Sequence, residues 1–186
     1  MRIFCVALTL FPLLGFSAFA QEPEAAAPSR LEKLYSDLKR ERNPKAAERL
    51  AGAIRAEWTK SGSATIDLIM QWSEKATSDK KYDVALDFLD QVTLLAPDYA
   101  EGWNRRATVH YLMNDYAKSM ADIDRALRLE PRHFGALSGM AAIFEMYDRK
   151  QAALAIYERV LDVYPAMRRA QDELSRLSEE LAGEGI

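Results

Sequence analysis

The sequence predicts an all-α fold, a solenoid of antiparallel helix pairs, because two patterns run through most of its length. Apolar residues recur at spacings of three and four, which is typical of one face of a helix. The pattern also repeats every 34 residues, and a closing proline marks each repeat at Pro97, Pro131 and Pro165. A fixed period of this length indicates a supersecondary unit that stacks on its neighbours. We therefore predict three adjacent units, at 66–99, 100–133 and 134–167.

The first element is an apolar leader at 1–20, which we interpret as a secretory signal peptide. Arg2 supplies a positive charge, the residues after it are apolar, and Ala18-Phe19-Ala20 forms a small-x-small cleavage site. We expect cleavage after Ala20. A retained membrane anchor is the alternative, but the run is short for a ~20-residue span and contains a proline and a glycine. A linker rich in Ala, Glu and Pro follows at 21–28.

Composition limits the classes of partner and the sources of stability. Cys5 is the only cysteine and lies in the leader, so no disulfide is expected in the exported chain. The full chain has 25 Lys and Arg against 28 Asp and Glu, a formal net charge of −3. This balance argues against nucleic acid as the main partner, because that interaction requires a basic surface. No second apolar stretch approaches membrane-spanning length, so no span is expected after cleavage.

Upstream of the three units, we predict a degenerate helical-pair repeat at 28–61. Ser29 and Glu32 form a capping box at the start of its first helix. Asn43 caps the second helix and Pro44 starts it. The closing proline and one small residue of the other units are missing here. We therefore expect this pair to cross at a different angle.

Each of the three full units is predicted to contain two helices joined by a short turn. In the middle unit, Trp103 and Ala107 belong to the apolar stripe of the first helix, and a turn follows at 114–115. The second helix ends before Pro131, because a residue that precedes proline disfavours the helical conformation. Small residues such as Ala107 and Ser119 mark the point where the two helices cross closely.

After the last unit, a single amphipathic capping helix is predicted at 168–183. Its apolar stripe consists of Met167, Ala170, Leu174, Leu177 and Leu181. A helix at this place suits a solenoid, because the last repeat would otherwise expose its apolar face.

The segment from Trp103 to Pro131, WNRRATVHYLMNDYAKSMADIDRALRLEP, resembles the tetratricopeptide repeat (TPR). It matches that pattern at Trp103, Ala107, Tyr116, Ala126 and Pro131. The resemblance extends over 66–167 in three units. It implies a right-handed superhelical solenoid whose first helices line a concave groove, and it implies that a peptide or a partner helix binds there.

The groove side of each first helix supplies the predicted partner-binding residues. They are Met70, Gln71, Glu74 and Thr77 in the first unit, Asn104, Arg105, Thr108 and Tyr111 in the second, and Ser138, Ala142 and Glu145 in the third. Asn104, Thr108 and Tyr111 share one helix face and are expected to point away from the core. Met70 and Tyr111 are the candidate hot spots. A solvated helix face is the alternative for any one residue. Arg105 alone is a poor clamp for a C-terminal carboxylate, so an acidic tail is not the expected ligand.

Arg106 interrupts an apolar position of the repeat. The same position holds Trp72 and Met140 in the other units, and each is followed sixteen residues later by another apolar residue. Asp122 stands sixteen residues after Arg106. We therefore predict that Arg106 and Asp122 form a semi-buried structural ion pair, with a functional arginine as the alternative.

No catalytic site, metal site or cofactor is predicted. His110 and His133 are the only histidines, and His110 is expected to be packed rather than to bind a metal. Two histidines without cysteine argue against a zinc site. The sequence contains no Gly-rich phosphate loop and no nucleophile elbow. We therefore expect a protein that is not an enzyme.

The expected function is that of a noncatalytic scaffold or adaptor of the bacterial cell envelope. An export leader on a cysteine-free repeat protein favours the periplasm, and the resemblance implies a protein or peptide partner. Two alternatives stay open. The chain could be a self-associating structural protein, which makes a homo-oligomer, or an accessory subunit that modulates an envelope enzyme.

Overall fold

The computed structural model describes residues 29–183, and this part of the chain consists of nine helices without a strand. The predicted all-α class is confirmed. The predicted signal peptide and linker lie outside the described residues. The helices are α1 Arg30–Arg40, α2 Pro44–Trp58, α3 Ala64–Ser78, α4 Tyr82–Leu95, α5 Ala100–Leu112, α6 Tyr116–Leu129, α7 Phe134–Met146, α8 Lys150–Val163 and α9 Arg168–Gly183.

Side-chain caps explain where the first two helices begin. The Ser29 hydroxyl accepts a hydrogen bond from the backbone N–H of Glu32 at 3.2 Å. The Asn43 side chain accepts from two N–H groups in the first turn of α2, at 3.0 and 3.1 Å. Pro44 follows directly as the first residue of α2, where it needs no N–H partner.

The turn inside each full unit has the same backbone geometry, although its sequence differs. Lys80, Asn114 and Asp148 are each separated by 34 residues, and their φ angles are 59°, 61° and 53°. This is the left-handed region, which Asn and Asp tolerate better than most side chains. At these turns the repeat is therefore kept in the backbone conformation, although the residues differ.

The full units stack through their neighbouring helices. α3–α4, α5–α6 and α7–α8 are the three pairs, and α4 packs on α5, α6 on α7 and α9 on α8. At the α5–α6 crossing the buried Ser119 hydroxyl donates to the Ala107 carbonyl at 2.8 Å. At the α4–α5 contact, a Cβ on Gly102 would lie only 2.7 Å from Val92 Cγ1. Small residues therefore let the helices approach closely at both contacts.

α1 and α2 form a hairpin that packs on the third unit. The indole of Trp58 stacks on the imidazole of His133, with centroids 3.8 Å apart, and lies 4.6 Å from the Phe134 ring. The Tyr164 hydroxyl, just after α8, donates to the Glu48 carboxylate at 2.9 Å. The hairpin thus covers the edge of the solenoid where α7 begins and α8 ends.

The chain position of this hairpin does not correspond to its place in the fold. In sequence, 28–61 directly precedes the first full unit. In three dimensions its apolar side chains join the core of the third unit. The segment between α2 and α3 contains Gly62 with φ +81°, which gives the chain a turn that other residues rarely adopt. The missing closing proline and this inserted turn let the hairpin leave the stacking direction of the solenoid.

Candidate partner-binding groove

The inner faces of α5 and α7 border a cavity of about 210 Å³. The start of α9 closes one side of it. The lining includes Asn104, Thr108 and Tyr111 from α5, Gly135, Ser138, Gly139 and Ala142 from α7, and Arg169 from α9. The structure thus brings together the predicted groove residues of the second unit, except Arg105, with two from the third.

Small residues on α7 keep this cavity open. A Cβ on Gly135 would lie 3.2 Å from His133 Cε1, and a Cβ on Gly139 would lie 3.4 Å from Ile123 Cδ1. A side chain at Gly135 would therefore press on a buried ring, and one at Gly139 would fill the space between α6 and α7.

Tyr111 belongs both to the cavity and to the edge of the core. Its ring borders the cavity, but the side chain is half-buried and packs edge-on against Tyr116, with centroids 5.4 Å apart. Tyr116 in turn contacts Tyr147 at 6.0 Å. Tyr111 therefore does not point wholly away from the core. Helical spacing along α5 did not reveal these aromatic neighbours, because Tyr116 begins α6 and Tyr147 follows the end of α7.

The predicted residues of the first unit are distributed among three environments. Glu74 and Thr77 border a separate depression of about 170 Å³ together with Arg105 and Thr108. Met70 is partly buried and packs on the core of α3 and α4. Gln71 is exposed and borders neither cavity. The predicted groove residues thus do not form one continuous surface.

Glu145 is already engaged within the chain. The Tyr157 hydroxyl donates to one carboxylate oxygen at 2.7 Å, and Arg176 of α9 forms an ion pair with the other. A partner that used Glu145 would first have to displace these two groups.

A buried polar network that sequence reasoning missed lies at the N-terminal end of α5. The Glu101 side chain is 7% exposed. One of its oxygens accepts from His133 Nε2 and from Asn104 Nδ2, both at 3.0 Å, and the other accepts from Arg105 Nε at 2.5 Å. His133 Nδ1 accepts the backbone N–H of Ala136 at 3.1 Å, so the ring proton lies on Nε2. The repeat did not indicate this network, because the equivalent positions hold Asp67 and Gly135.

In this network, carboxylates of the same chain balance the positive charge of the Arg105 guanidinium. Burial alone would raise the pKa of the Glu101 carboxyl, but the hydrogen bond from His133 and the charge and hydrogen bond of Arg105 hold it below its ordinary value. Arg105 also lies 3.9 Å from Glu74. Arg105 is therefore held by two carboxylates of its own chain.

Arg169 supplies an available cation at the cavity. It is exposed, borders the cavity, and has no salt-bridge partner within residues 29–183. Sequence reasoning missed it because α9 lies beyond the last full unit. The repeat interval nevertheless identifies its face, since Arg169 stands 34 residues after Gly135.

Arg106 and Asp122 contact each other away from the groove. Arg106 Nε and Nη2 donate to the two Asp122 oxygens at 2.8 and 2.7 Å, and the side chains are 20% and 7% exposed. Arg106 Nη1 also donates to Asp90 at 2.8 Å and to Thr93 at 2.9 Å, both on α4. This arginine therefore joins the first and second units and has a structural role.

His110 is a packed residue next to this ion pair. It is 8% exposed, and its Nε2 lies 3.9 Å from Asp122 Oδ2. Burial lowers the pKa of His110. Within residues 29–183, no group of three or more His, Cys, Asp or Glu side chains is arranged to hold a metal ion. Over the same range, every helix is too short or too polar to cross a membrane.

The fold is that of a helical-repeat protein whose inner face carries a cavity. A family model of the tetratricopeptide repeat matches residues 100–133. A TPR repeat-containing protein of Rhizobium etli is 48% identical over 198 aligned residues, which cover 98% of this chain and 97% of that relative. The chain belongs to the tetratricopeptide-repeat family, and the predicted family is confirmed.

Relatives in other organisms match a smaller part of the chain. The small glutamine-rich tetratricopeptide repeat-containing protein 2 of Saccharomyces cerevisiae is 27% identical over 97 residues, which cover 52% of this chain and 28% of that protein. Among solved structures, the first TPR domain of Spaghetti (RPAP3) bound to an HSP90 peptide is 25% identical with a TM-score of 0.60, covering 63% of this chain and 93% of that one. The Sgt2 TPR domain of Aspergillus fumigatus has a TM-score of 0.59 at 19% identity, covering 66% and 83%.

Proposed function

We propose that this protein is a noncatalytic adaptor that binds a peptide or a helix of another protein in the cavity between α5 and α7. The family generally mediates protein–protein interactions and is typically noncatalytic. The observation that carries the proposal is the cavity itself, an open recess on the inner face of two repeats. Polar side chains border this recess, and its α7 wall is formed by small residues.

The polar atoms of the cavity are suited to a peptide backbone. The Thr108 and Ser138 hydroxyls donate to carbonyls of their own helices at 2.9 and 2.7 Å, so their oxygens remain available as acceptors. Asn104 Nδ2 donates to Glu101, which leaves the amide oxygen of Asn104 available as an acceptor. The N–H groups of an incoming peptide supply the matching donors.

Arg169 adds one charge-assisted donor at the side of the cavity formed by α9. We therefore propose a ligand segment that is mostly uncharged and places one carbonyl or carboxylate near Arg169. The HSP90 peptide bound by the RPAP3 domain supports peptide ligands as a class. A strongly acidic tail is disfavoured here, because the other nearby arginine, Arg105, is already held by Glu101.

We further propose that the protein acts outside the cytoplasm, in the bacterial cell envelope. The support is the leader at 1–20, with its positive start, apolar run and small-x-small site. A periplasmic adaptor would meet its partner after cleavage of this leader.

A matched pair of substitutions tests the groove. Ala142→Trp fills the cavity from its α7 wall, whereas Ala117→Trp adds the same side chain at an exposed site of α6. Full-length wild type and both variants are crosslinked in cells and purified, and their partners are identified by mass spectrometry. Ala142→Trp should lose a partner that wild type and Ala117→Trp retain. Identical partner sets for all three proteins would contradict the proposal.

A further inference from the structure

Large apolar side chains are exposed on the stacking face of the first unit, the face that a preceding unit would cover in a longer array. Leu68 and Trp72 on α3 are 44% and 48% exposed. Phe88 on α4 is half-buried, and its ring lies 5.7 Å from the Trp72 ring. We call Leu68, Trp72 and Phe88 the open end. Large apolar side chains that lie side by side and are exposed in this way mark a contact surface.

The equivalent positions are covered in the other two units. Leu68 corresponds to Gly102 and Ala136, which are both buried. Phe88 corresponds to Asp122 and Ile156, which are 5% and 8% exposed. The open end is therefore a stacking face of the repeat on which no helix of residues 29–183 lies.

The second unit shows what covers such a face. α4 of the first unit lies on it, so closely that a Cβ on Gly102 would approach Val92 Cγ1 to 2.7 Å. Arg106, at the position equivalent to Trp72, donates to Asp90 and Thr93 of α4. In a regular array, a helix of a preceding unit would cover Trp72 in the same manner.

The chain's own N-terminal hairpin does not supply that helix. Trp58 of α2 is held on His133 and Phe134 at the edge of the third unit. Arg132 binds Glu32 of α1 and lies 3.9 Å from the Tyr35 ring centroid. Both helices of the hairpin are therefore engaged away from the open end.

We propose that the open end binds the open end of a second copy, which gives a two-fold homodimer. The opposite end of the solenoid cannot serve, because α9 covers α8 and presents an ion-pair cluster of Arg176, Glu173 and Glu180. The two ends therefore cannot stack head to tail. When the same face of two copies forms the contact, the assembly is a closed dimer and adds no further copies.

The charges around the open end allow this self-contact. Lys75, Lys81 and Asp79 surround Trp72 and Phe88. Lys75 already pairs with Asp79 of its own chain at 3.3 Å. A rim of a single charge sign would repel its copy, whereas this mixed rim lets a two-fold axis bring Lys81 of one protomer to Asp79 of the other. The apolar centre then supplies the attraction and the rim sets the orientation.

The size of the face predicts a weak dimer. α3 has 15 residues and is therefore ~22 Å long, and two neighbouring helices are ~20 Å wide. Such a face is near or below the ~800 Å² per partner of a standard stable interface. A dissociation constant on the order of 1–100 μM is therefore expected.

Light scattering and sedimentation over a dilution series test the dimer. The protein is purified from cells that express the full-length sequence. Trp72→Glu places a carboxylate at the centre of the open end and should weaken dimerisation at least ~30-fold. Leu94→Glu is the control, since Leu94 is 79% exposed and corresponds to the exposed Arg128 and Asp162. This control should dimerise like wild type.

A second variant guards against misfolding as the cause. The double change Trp72→Arg with Phe88→Asp copies the Arg106–Asp122 pair of the second unit, and it should fold by circular dichroism and remain monomeric. Wild type that is monomeric up to ~100 μM would overturn the proposal, whether the open end then takes another protein or none. A dimer that Trp72→Glu leaves unchanged would overturn it as well. The groove test is independent, because Ala142 lies on a different face.

Discussion

The imidazole of His133 lies flat on the indole of Trp58, with ring centroids 3.8 Å apart and ring planes 12° apart. Trp58 Nε1 also donates to the Tyr35 hydroxyl at 3.1 Å. On its other side, His133 caps α7 and donates to Glu101. One aromatic stack therefore joins the N-terminal hairpin to the network that positions Asn104 and Arg105 at the groove.

Trp58→Ala should cost ~3–5 kcal/mol of unfolding free energy, because it removes a buried aromatic side chain. Hydrogen exchange should show that α1 and α2 lose protection before the other helices. Trp72→Ala is the matched control, since Trp72 is 48% exposed, and it should cost ~1 kcal/mol or less at low protein concentration. Urea unfolding measures both changes. Equal losses for the two variants would show that the stack does not anchor the hairpin.

The free energy of unfolding should fall in acid, partly because the Glu101 carboxylate becomes protonated. Its folded-state pKa is lowered, so its contribution is present above the ordinary value of 4.5 and is lost as the pH falls through the folded-state pKa. Glu101→Gln should therefore be less stable at pH 7 and should lose less stability than wild type between about pH 5 and pH 3. Thermal melting across this range gives the comparison. Glu158→Gln, at an exposed site on α8, is the control. A Glu101→Gln profile parallel to wild type would argue against this linkage.

Single substitution of Arg106 or Asp122 should be costly. Arg106→Met leaves the buried Asp122 without its counter-ion, and Asp122→Ile leaves the guanidinium without its bidentate partner, at ~3 kcal/mol each. The double variant copies Met140 and Ile156 of the third unit and should recover much of the loss, although the bonds of Arg106 to α4 are not restored. A double-mutant cycle by urea unfolding measures the coupling. A double variant as unstable as the sum of the two singles would remove the evidence for pairing.

Processing of the leader gives a separate test. The Ala18-Phe19-Ala20 site predicts a mature chain that begins at Gln21. Fractionation of cells that express the full-length sequence, followed by N-terminal sequencing, checks both export and cleavage. A mature chain that begins at Met1 would contradict the signal-peptide interpretation.

The repeat interval predicted most of the architecture, because local periodicity determines how one helix packs on the next. It placed Ala107 and Ser119 at a crossing and Arg106 opposite Asp122, and the structure shows both contacts. It could not locate the N-terminal hairpin, because the Trp58–His133 contact joins segments with no common register. It identified Arg105 as a groove residue but missed the buried Glu101 that holds it, because the positions equivalent to Glu101 are Asp67 and Gly135 and show no common role.

Site-specific photocrosslinking tests most directly whether a peptide or helix of another protein binds in the cavity between α5 and α7. A photoreactive amino acid replaces Thr108, which is exposed at the border of the cavity, or Lys118, which is exposed on α6. After irradiation in cells that express the full-length protein, mass spectrometry identifies the crosslinked segment. We predict that the Thr108 position captures one defined peptide or helix of another protein, that the Lys118 position does not, and that Ala142→Trp abolishes the capture. The same crosslinks from both positions, or capture that Ala142→Trp leaves unchanged, would contradict binding in the α5–α7 cavity.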